Sequence, residues 1–392
     1  IKIQLNTNKI VSIIGPRRSG KTYLMYQLIK NIKDITNVLY INLEDERLTI
    51  KAEDMDILLE SYYELYPNKK NNEIFLFFDE IQEIEGWEKF IRRIYDSVSK
   101  NIFITGSSSK LLYKELATSL RGRSITYKVW PLSFREYLNF KNITKDITTT
   151  KTKAIISSNF KDYLTKGGFP ETISMNNEVY EKTIKNYLEV MMFKDIAERN
   201  SISNTQLLKQ FIKRIISNSG KGFTLNKIYN NLKSDGFKVS KDTVYSLIGS
   251  CEDAFLIFPL RNFSENINKQ TIKKAYTVDN SFCSSVSFSL SKDWGRLLEN
   301  LVYIELLRRE HDVYYFNEEV ECDFIIKDKE RITETIQVCF DLNKDNMKRE
   351  IEGLKRAMNQ FKVKIGKIIT MGKSQKLEEI EIINIFEWLL NQ

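Results

Sequence analysis

The sequence predicts an α/β fold in which a parallel sheet is covered by helices on both faces. Five short, mostly apolar segments in the first third are interpreted as strands, at residues 10–14, 38–43, 74–78, 102–105 and 124–129. Segments with helical spacing separate the first four strands, at residues 21–32, 54–66 and 87–98. Nearly continuous apolar strands that alternate with helices are typical of a parallel sheet buried on both sides.

The composition of the 392-residue chain is that of an ordinary soluble globular protein, with 42% hydrophobic and 29% charged residues. Its length allows roughly two to four domains. No apolar run approaches the roughly 20 residues of a membrane-spanning helix, so no membrane partner is expected. Four scattered cysteines without a CxxC pair favour a reducing cytoplasm. A single histidine argues against a His-rich zinc site and against a Ser-His triad.

The net charge of +8 and the pI near 9.0 favour a polyanionic partner, nucleic acid first. Genome bias or heat adaptation also produces basic, lysine-rich chains whose lysines are simply solvated. The charge alone therefore leaves both interpretations open.

A glycine-rich loop follows the first strand and opens the first helix. It consists of Gly15, Pro16, Arg17, Arg18, Ser19, Gly20, Lys21 and Thr22. Glycines let such a loop curl so that successive N–H groups face a phosphate, and the helix N-terminus favours the same anion. Lys21 would reach the β- and γ-phosphates, and the Thr22 hydroxyl would bind Mg²⁺. The loop predicts a nucleoside triphosphate site in which Lys21 is catalytic.

Two acids, Asp79 and Glu80, end the strand at 74–78. Beside such a loop, Asp79 would hold Mg²⁺ through water, and Glu80 would orient or deprotonate the attacking water. One strand along the chain separates this strand from the one before the loop. If the sheet also places a strand between those two, the fold is of the P-loop class that sets a glutamate beside the attacking water.

Two further positions are weaker candidates. The next strand ends in Thr105, Gly106 and Ser107, and we predict Ser107 rather than Thr105 as a sensor of the γ-phosphate. Helix capping by a serine explains the same residue nearly as well. Arg121 and Arg123, just before the fifth strand, could face the γ-phosphate of a neighbouring subunit in an oligomer. A solvated basic loop is equally compatible with these two arginines.

In combination these segments resemble a family of prokaryotic, mainly archaeal, AAA-type ATPases. The resemblance covers nearly the whole chain and is carried by residues 15–22, 40–45, 78–82, 105–109, 120–123, 131–137 and 167–171. It implies ATP rather than GTP, and a P-loop core followed by a helical lid, a winged helix and a restriction-endonuclease-like α/β domain. The corresponding predicted domains are residues 1–140, 141–202, 203–268 and 269–392. The polar stretch at 140–158 is interpreted as a linker or long surface loop.

Residues 224–258 have the spacing of a helix-turn-helix. A short amphipathic helix at 225–232 is followed by Gly236 in the turn and by Ser240, which caps a second helix at 241–255. The candidate DNA contacts are Lys238, Ser240, Lys241, Thr243 and Tyr245, with Lys273 and Lys274 on a wing. Asp242, Glu252 and Asp253 dilute the positive charge of the second helix. Docking of a protein is therefore an equal alternative to DNA binding at this element.

The last domain carries an incomplete nuclease pattern. An active PD-(D/E)xK nuclease binds Mg²⁺ with carboxylates from a helix and two strands and adds a lysine. Here Glu299 lies on a predicted helix at 294–309, and Glu321 and Asp323 lie on a strand. Gln337 replaces the next acid and Cys339 replaces the lysine, and neither supplies an equivalent charge at neutral pH. We predict a nuclease-like fold without nuclease chemistry.

Three functions follow from these predictions. The first is an ATPase whose nucleotide state alters DNA binding. The second is an ATP-dependent signalling or assembly switch acting on a protein partner. The third, an ATP-dependent nuclease, is disfavoured by Gln337 and Cys339.

Overall fold

In the computed structural model the chain divides into two compact units, residues 1–130 with 253–255, and residues 131–252 with 256–392. The structure describes residues 3–69, 71, 73–108, 120, 122–222, 224–264, 272–286, 293–317 and 320–391, with only the backbone at 272 and 273. In these ranges no helix combines the length and the apolar character needed to span a bilayer.

The first unit contains a five-stranded sheet in which every paired strand is parallel. Its strands are β1 (Ile10–Ile14), β2 (Val38–Asn42), β3 (Phe75–Asp79), β4 (Asn101–Gly106) and β5 (Ser124–Lys128). The strand order is β2-β3-β4-β1-β5, so β4 lies between β1 and β3. The α/β fold with a parallel sheet is thus confirmed, and it has the inserted strand that the glutamate assignment requires.

Helices cover this sheet at Lys21–Lys30, Asp56–Leu65 and Trp87–Ser97. The third of these buries Trp87, Phe90, Ile91 and Ile94, whose spacing forms one apolar face. Within the sheet, Phe77 of β3 and Phe103 of β4 are fully buried and stack at 4.6 Å between ring centroids. Burial of these large apolar side chains is the main stabilising contribution of the unit.

The second unit begins with helices, located at Phe134–Phe140, Thr150–Lys166, Asn177–Val190, Thr205–Ser217, Leu225–Ser234 and Lys241–Asp253. A π-helical segment, Met191–Glu198, continues the third of them. The prediction of a linker over 140–158 is wrong from residue 150 onward. The Thr149 side chain accepts the Thr152 N–H at the start of that helix, and Ile156 and Phe160, one helical turn apart, are buried. Most of the exposed residues of this helix are polar, with Ala154 and Ile155 as exceptions, and this polar composition suggested a loop.

Two strands, β6 (Ile257–Arg261) and β7 (Ile272–Thr277), form an antiparallel pair after the last of these helices. The rest of the unit contains helices at Asn280–Val286, Trp294–Arg308, Lys344–Phe361 and Ile385–Leu390. The strands of the final sheet are β8 (Asp312–Asn317), β9 (Glu321–Asp328), β10 (Arg331–Cys339), β11 (Gly366–Thr370), β12 (Gln375–Leu377) and β13 (Ile380–Asn384). The sheet is mixed, in the order β12-β13-β11-β10-β9-β8.

Candidate nucleotide site and acidic cluster

The glycine-rich loop leads directly into the helix Lys21–Lys30. Gly20, with φ of 101°, lies at its N-cap and has no side chain, so the N-cap residue offers no side-chain acceptor to the first-turn N–H groups. A Cβ at Gly15 would lie 2.0 Å from the carbonyl oxygen of Val129, so only glycine permits this close approach. Ser19 Oγ is buried and has no hydrogen-bond partner within the described part of the chain. An uncapped helix N-terminus and an orphaned hydroxyl in one loop fit a bound phosphate.

Lys21 is buried at the centre of the loop. Its Nζ lies 3.2 Å from the carbonyl oxygens of Gly15 and Pro16 and 3.2 Å from Oε1 of Glu80. The structure therefore brings together the predicted phosphate-binding lysine and the predicted catalytic glutamate.

Glu80 adopts a left-handed backbone with φ of 52°, which is uncommon for a residue with a side chain. Its N–H donates to Thr105 Oγ1 over 2.8 Å, and Gln82 Nε2 donates to its Oε2 over 2.6 Å. Burial raises the pKa of Glu80, but the charges of Lys21 and Arg17 and the Gln82 hydrogen bond outweigh it and lower the pKa to about 2. Glu80 is thus a carboxylate at neutral pH.

Asp79 is 1% exposed and is bound by two hydroxyl groups. Thr105 Oγ1 donates to its Oδ1, and Tyr40 OH donates to its Oδ2 over 3.0 Å. Burial, followed by the hydrogen bond with Tyr26 and the charge of Asp79, raises the pKa of Tyr40, so its hydroxyl remains a donor. Neither Tyr40 nor Thr105 was assigned a role from the sequence.

The other predicted nucleotide-site residues are close in sequence to Lys21 or to Thr105. Thr22 is half-buried in the first helical turn, and Ser107 is fully buried, with Gln82 Nε2 3.5 Å from its Oγ. Arg17 NH1 pairs with Glu44 Oε1 at 2.7 Å. Arg18 is exposed and has φ of 65°.

Arg123 lies at the start of β5, where its NH2 pairs with Asp96 Oδ2 at 3.3 Å and its guanidinium lies 5.9 Å from the ring centroid of Tyr95. Arg121 lies outside the described residues. To contact a neighbouring subunit, Arg123 would have to break this half-exposed ion pair with Asp96. Such a pair stabilises a protein by about 1 kcal/mol at most.

The second unit places the candidate DNA contacts in different environments. Lys238 and Lys241 are exposed, and Tyr245 is 56% exposed. Ser240 Oγ accepts the Thr243 N–H over 3.0 Å, as predicted for a helix cap. The backbone of Lys273 lies in β7, and its side chain is outside the described part.

Lys274 is buried, contrary to its predicted position on a wing near phosphates. Its Nζ lies 2.9 Å from Glu299 Oε1, 2.6 Å from Glu321 Oε1 and 3.6 Å from Asp323 Oδ1. We call these four residues the acidic cluster. An ammonium enclosed by three carboxylates cannot reach a DNA phosphate, so Lys274 is not a DNA contact in this structure.

The acidic cluster also perturbs proton affinities. Burial lowers the pKa of Lys274, but the charges of Glu299, Asp323 and Glu321 outweigh it and raise the pKa above its ordinary value. Burial and the charge of Glu299 raise the pKa of Asp323 to about 8, although Lys274 acts in the opposite direction. Tyr276 OH donates to Glu299 Oε1 over 2.6 Å.

Gln337 and Cys339 lie beside the acidic cluster on β10. Gln337 Oε1 accepts the Asp323 N–H over 3.2 Å, and its Nε2 donates to Glu350 Oε2 over 2.7 Å. Both the carbonyl oxygen and the amino group of the Gln337 amide are therefore hydrogen-bonded. Burial, reinforced by the charge of Glu350, raises the pKa of Cys339 to about 11, so its thiol is neutral at pH 7. Glu350 was not predicted from the sequence to belong here.

A phosphate-binding loop, a buried lysine and two acids at the carboxyl ends of a parallel sheet define a P-loop nucleotide-binding domain. Residues 7–138 match a family model described as an AAA domain, and residues 157–293 match a domain of unknown function, DUF8612. Residues 7–138 therefore form an AAA-type P-loop domain.

The relatives extend over the whole chain. It is 40% identical over its full length to Uncharacterized protein MJ1544 of Methanocaldococcus jannaschii, covering 90% of that protein. It is 30% identical over 98% of its length to an uncharacterized protein of Haemophilus influenzae, covering 95% of it. The chain belongs to the protein family of these two relatives.

Solved structures are more distant. The Walker-type ATPase of Pyrococcus abyssi aligns over 72% of this chain and 91% of that one, with 16% identity and a TM-score of 0.45. The Orc1 protein of Aeropyrum pernix, solved in complex with DNA, aligns over 77% of this chain and 88% of that one, with 12% identity and a TM-score of 0.34.

Proposed function

We propose that this protein hydrolyses ATP with Mg²⁺ and couples its nucleotide state to DNA binding. The observation that carries the proposal is the contact of Lys21 with Glu80 beside Asp79, at the mouth of an uncapped phosphate-binding loop. A lysine for the phosphates, an acid for the metal and an acid for the water are the groups that phosphoryl transfer to water requires.

The chain's residues take distinct roles in this reaction. The loop at 15–22 would cradle the phosphates, the Thr22 hydroxyl would provide a hard oxygen ligand of the kind that Mg²⁺ prefers, and Asp79 would hold the ion through water. When bound, Mg²⁺ would neutralise phosphate charge. Glu80 accepts a proton from the attacking water or orients it. Because Lys21 is the present partner of Glu80, arrival of a polyphosphate gives Lys21 a second anion to bind and leaves Glu80 freer to face water.

Two assignments within this proposal concern groups around the γ-phosphate. Ser107, buried beside Gln82, would sense that phosphate from the carboxyl end of β4. Arg121 or Arg123 of a neighbouring subunit would stabilise transition-state charge, and this role requires an oligomer.

The DNA part of the proposal rests on residues 205–277. Helices at Thr205–Ser217, Leu225–Ser234 and Lys241–Asp253 precede the antiparallel pair β6–β7, an arrangement that supports a winged helix. The ammonium groups of Lys233 and Lys241 lie 5.9 and 6.0 Å from the ring centroid of Tyr229, so two cations converge on one surface. Lys238, Tyr245 and Lys273 complete the proposed contacts.

The C-terminal sheet and its helix Trp294–Arg308 support a nuclease-like fold, and the acidic cluster supports the proposal that this fold lacks nuclease chemistry. The ammonium of Lys274 lies where three acidic side chains converge, so the charge of Glu299 and Glu321 already has a partner within the chain. No catalytic lysine replaces Cys339 on β10. We propose that this domain contributes contacts rather than cleavage.

A protein-directed switch is the second candidate, because the second helix of the helix-turn-helix also exposes acids. Asp242 and Glu252 are both solvent-exposed on Lys241–Asp253. Carboxylates repel a phosphate backbone but are compatible with docking of a protein.

Measured ATPase rates with and without duplex, branched and single-stranded DNA test the proposal. We expect Mg²⁺-dependent turnover that changes several-fold with DNA, no turnover in Lys21→Ala, and intact DNA after incubation with Mg²⁺ or Mn²⁺. Turnover without any DNA binding at low salt would favour the protein switch. DNA nicking that disappears in Asp323→Ala would make the protein a nuclease.

A further inference from the structure

Both carboxylate oxygens of Asp79 accept a hydrogen bond from a hydroxyl group of a neighbouring strand. Thr105 Oγ1, on β4, donates to Oδ1, and Tyr40 OH, on β2, donates to Oδ2. Asp79 ends β3, which lies between these two strands in the sheet. The carboxylate is therefore held from both sides.

The register of the sheet explains this arrangement. Asn42 is the Cα partner of Asp79 on β2, so Tyr40, two residues earlier, projects on the same face as Asp79. On β4, Ile104 is the Cα partner of Phe78, so Thr105 follows level with Asp79. Parallel strands thus deliver a phenol and an alcohol to the same carboxylate.

The direction of the hydrogen bonds at Tyr40 follows from its contact with Asp79. The Tyr40 hydroxyl donates its single proton to Asp79, so Tyr26 OH, which lies 3.2 Å from Tyr40 OH, must donate to Tyr40. Thr105 donates to Asp79 and accepts the Glu80 N–H. One hydroxyl therefore orients both the proposed metal ligand and the proposed base.

We propose that Tyr40 and Thr105 are positioning residues that hold Asp79 in the orientation that binds Mg²⁺. The inference rests on the proposed function. Fixing a ligand before the metal arrives removes the cost of ordering it, and loss of an outer partner of a metal ligand typically lowers metal affinity about 10–100-fold. Neither side chain belongs to the loop at 15–22 that would hold the phosphates.

The test measures ATP affinity by calorimetry in the Glu80→Gln background, with Mg²⁺ and with EDTA, so that no turnover is needed. Tyr40→Phe and Thr105→Val each remove one hydroxyl and keep the shape of the side chain. We expect each to lower the gain in ATP affinity that Mg²⁺ provides by about tenfold, while affinity in EDTA changes less than about twofold. Thr105→Ser, which keeps the hydroxyl, restores the gain.

Tyr62→Phe is the matched control. It removes a phenol that donates to the Thr36 carbonyl over 2.6 Å in the same unit, away from Asp79, and the gain from Mg²⁺ should persist. If Tyr40→Phe and Thr105→Val both keep the full gain, the inference is wrong. If Thr105→Val does not fold, Tyr40→Phe decides alone, because Tyr40 is half-buried on an edge strand. Absence of ATP binding in the background protein itself would instead refute the proposed function.

Discussion

Lys274 shows how the surroundings of one residue determine its role. A lysine enclosed by Glu299, Glu321 and Asp323 has lost its hydration, and the attraction of the carboxylates offsets that cost. The same carboxylates would repel each other without it. At this position the ammonium interacts with acidic side chains of the same chain rather than with an external phosphate.

Substitution of Lys274 by Met should therefore destabilise the second unit strongly. It leaves three acids facing each other without a cation, and breaking a buried ion pair from one side costs about 3–5 kcal/mol. Urea unfolding followed by circular dichroism measures the change. Lys367→Met is the control, because its pair with Glu334 is partly exposed and its loss should cost about 1 kcal/mol or less. Equal stability of the two variants would contradict the role of the acidic cluster.

The sequence predicted the residues of the nucleotide site better than their partners. Lys21, Asp79 and Glu80 follow from a motif whose spacing encodes their geometry. Thr105 and Tyr40 do not, because their role depends on which strands neighbour β3 in the sheet. The sequence feature that could have indicated Thr105 is a polar residue at the end of a strand adjacent to β3, level with Asp79. The burial of Lys274 could not be predicted either. The sequence around Lys274 and Tyr276 does not indicate which side of their strand is buried.

At the scale of an element, the helix-turn-helix carries two lysines that converge on Tyr229. A surface of this kind attracts DNA by releasing counterions, which makes affinity salt-dependent. Four lysines and four acids occur between residues 225 and 253, so the attraction would come from the two converging lysines rather than from the net charge of the element.

The double substitution Lys233→Glu and Lys241→Glu should lower DNA affinity at least about tenfold and make the log–log salt slope less negative by roughly 2, at about 0.9 per phosphate contact. Fluorescence anisotropy over a salt series measures both. Lys373→Glu with Lys376→Glu changes net charge equally at exposed positions near β12 and should leave affinity nearly unchanged. The same loss of affinity in both double variants would mean that only net charge matters.

Elements with strong periodicity were predicted closely. The segment 294–309 was predicted as a helix and is one at Trp294–Arg308, and the strand predicted to carry Glu321 and Asp323 is β9 at Glu321–Asp328. The strands β11 to β13 were missed. β11 and β13 are short, with apolar runs of only two or three residues, and β12 is exposed at all three positions. Such segments acquire their structure from sheet pairing rather than from local pattern.

At the scale of the whole molecule, the chain combines a P-loop unit, which carries the proposed ATP site, with a second unit, which carries the candidate DNA contacts. The order of these parts followed from the sequence, since the motif, the helix-turn-helix and the acids occur in separate segments. The lack of nuclease chemistry stays a prediction, and the acidic cluster, which contains a cation of the chain's own, is the observation behind it.

The central claim is that Glu80 acts on the attacking water at a site that binds ATP. ATP binding and hydrolysis should be measured in the same preparations of the wild-type protein, Glu80→Gln and the exposed control Glu85→Gln. We predict that Glu80→Gln binds ATP and loses about 10²–10⁴-fold in turnover, whereas Glu85→Gln retains both. Hydrolysis by Glu80→Gln at the wild-type rate would contradict the assignment.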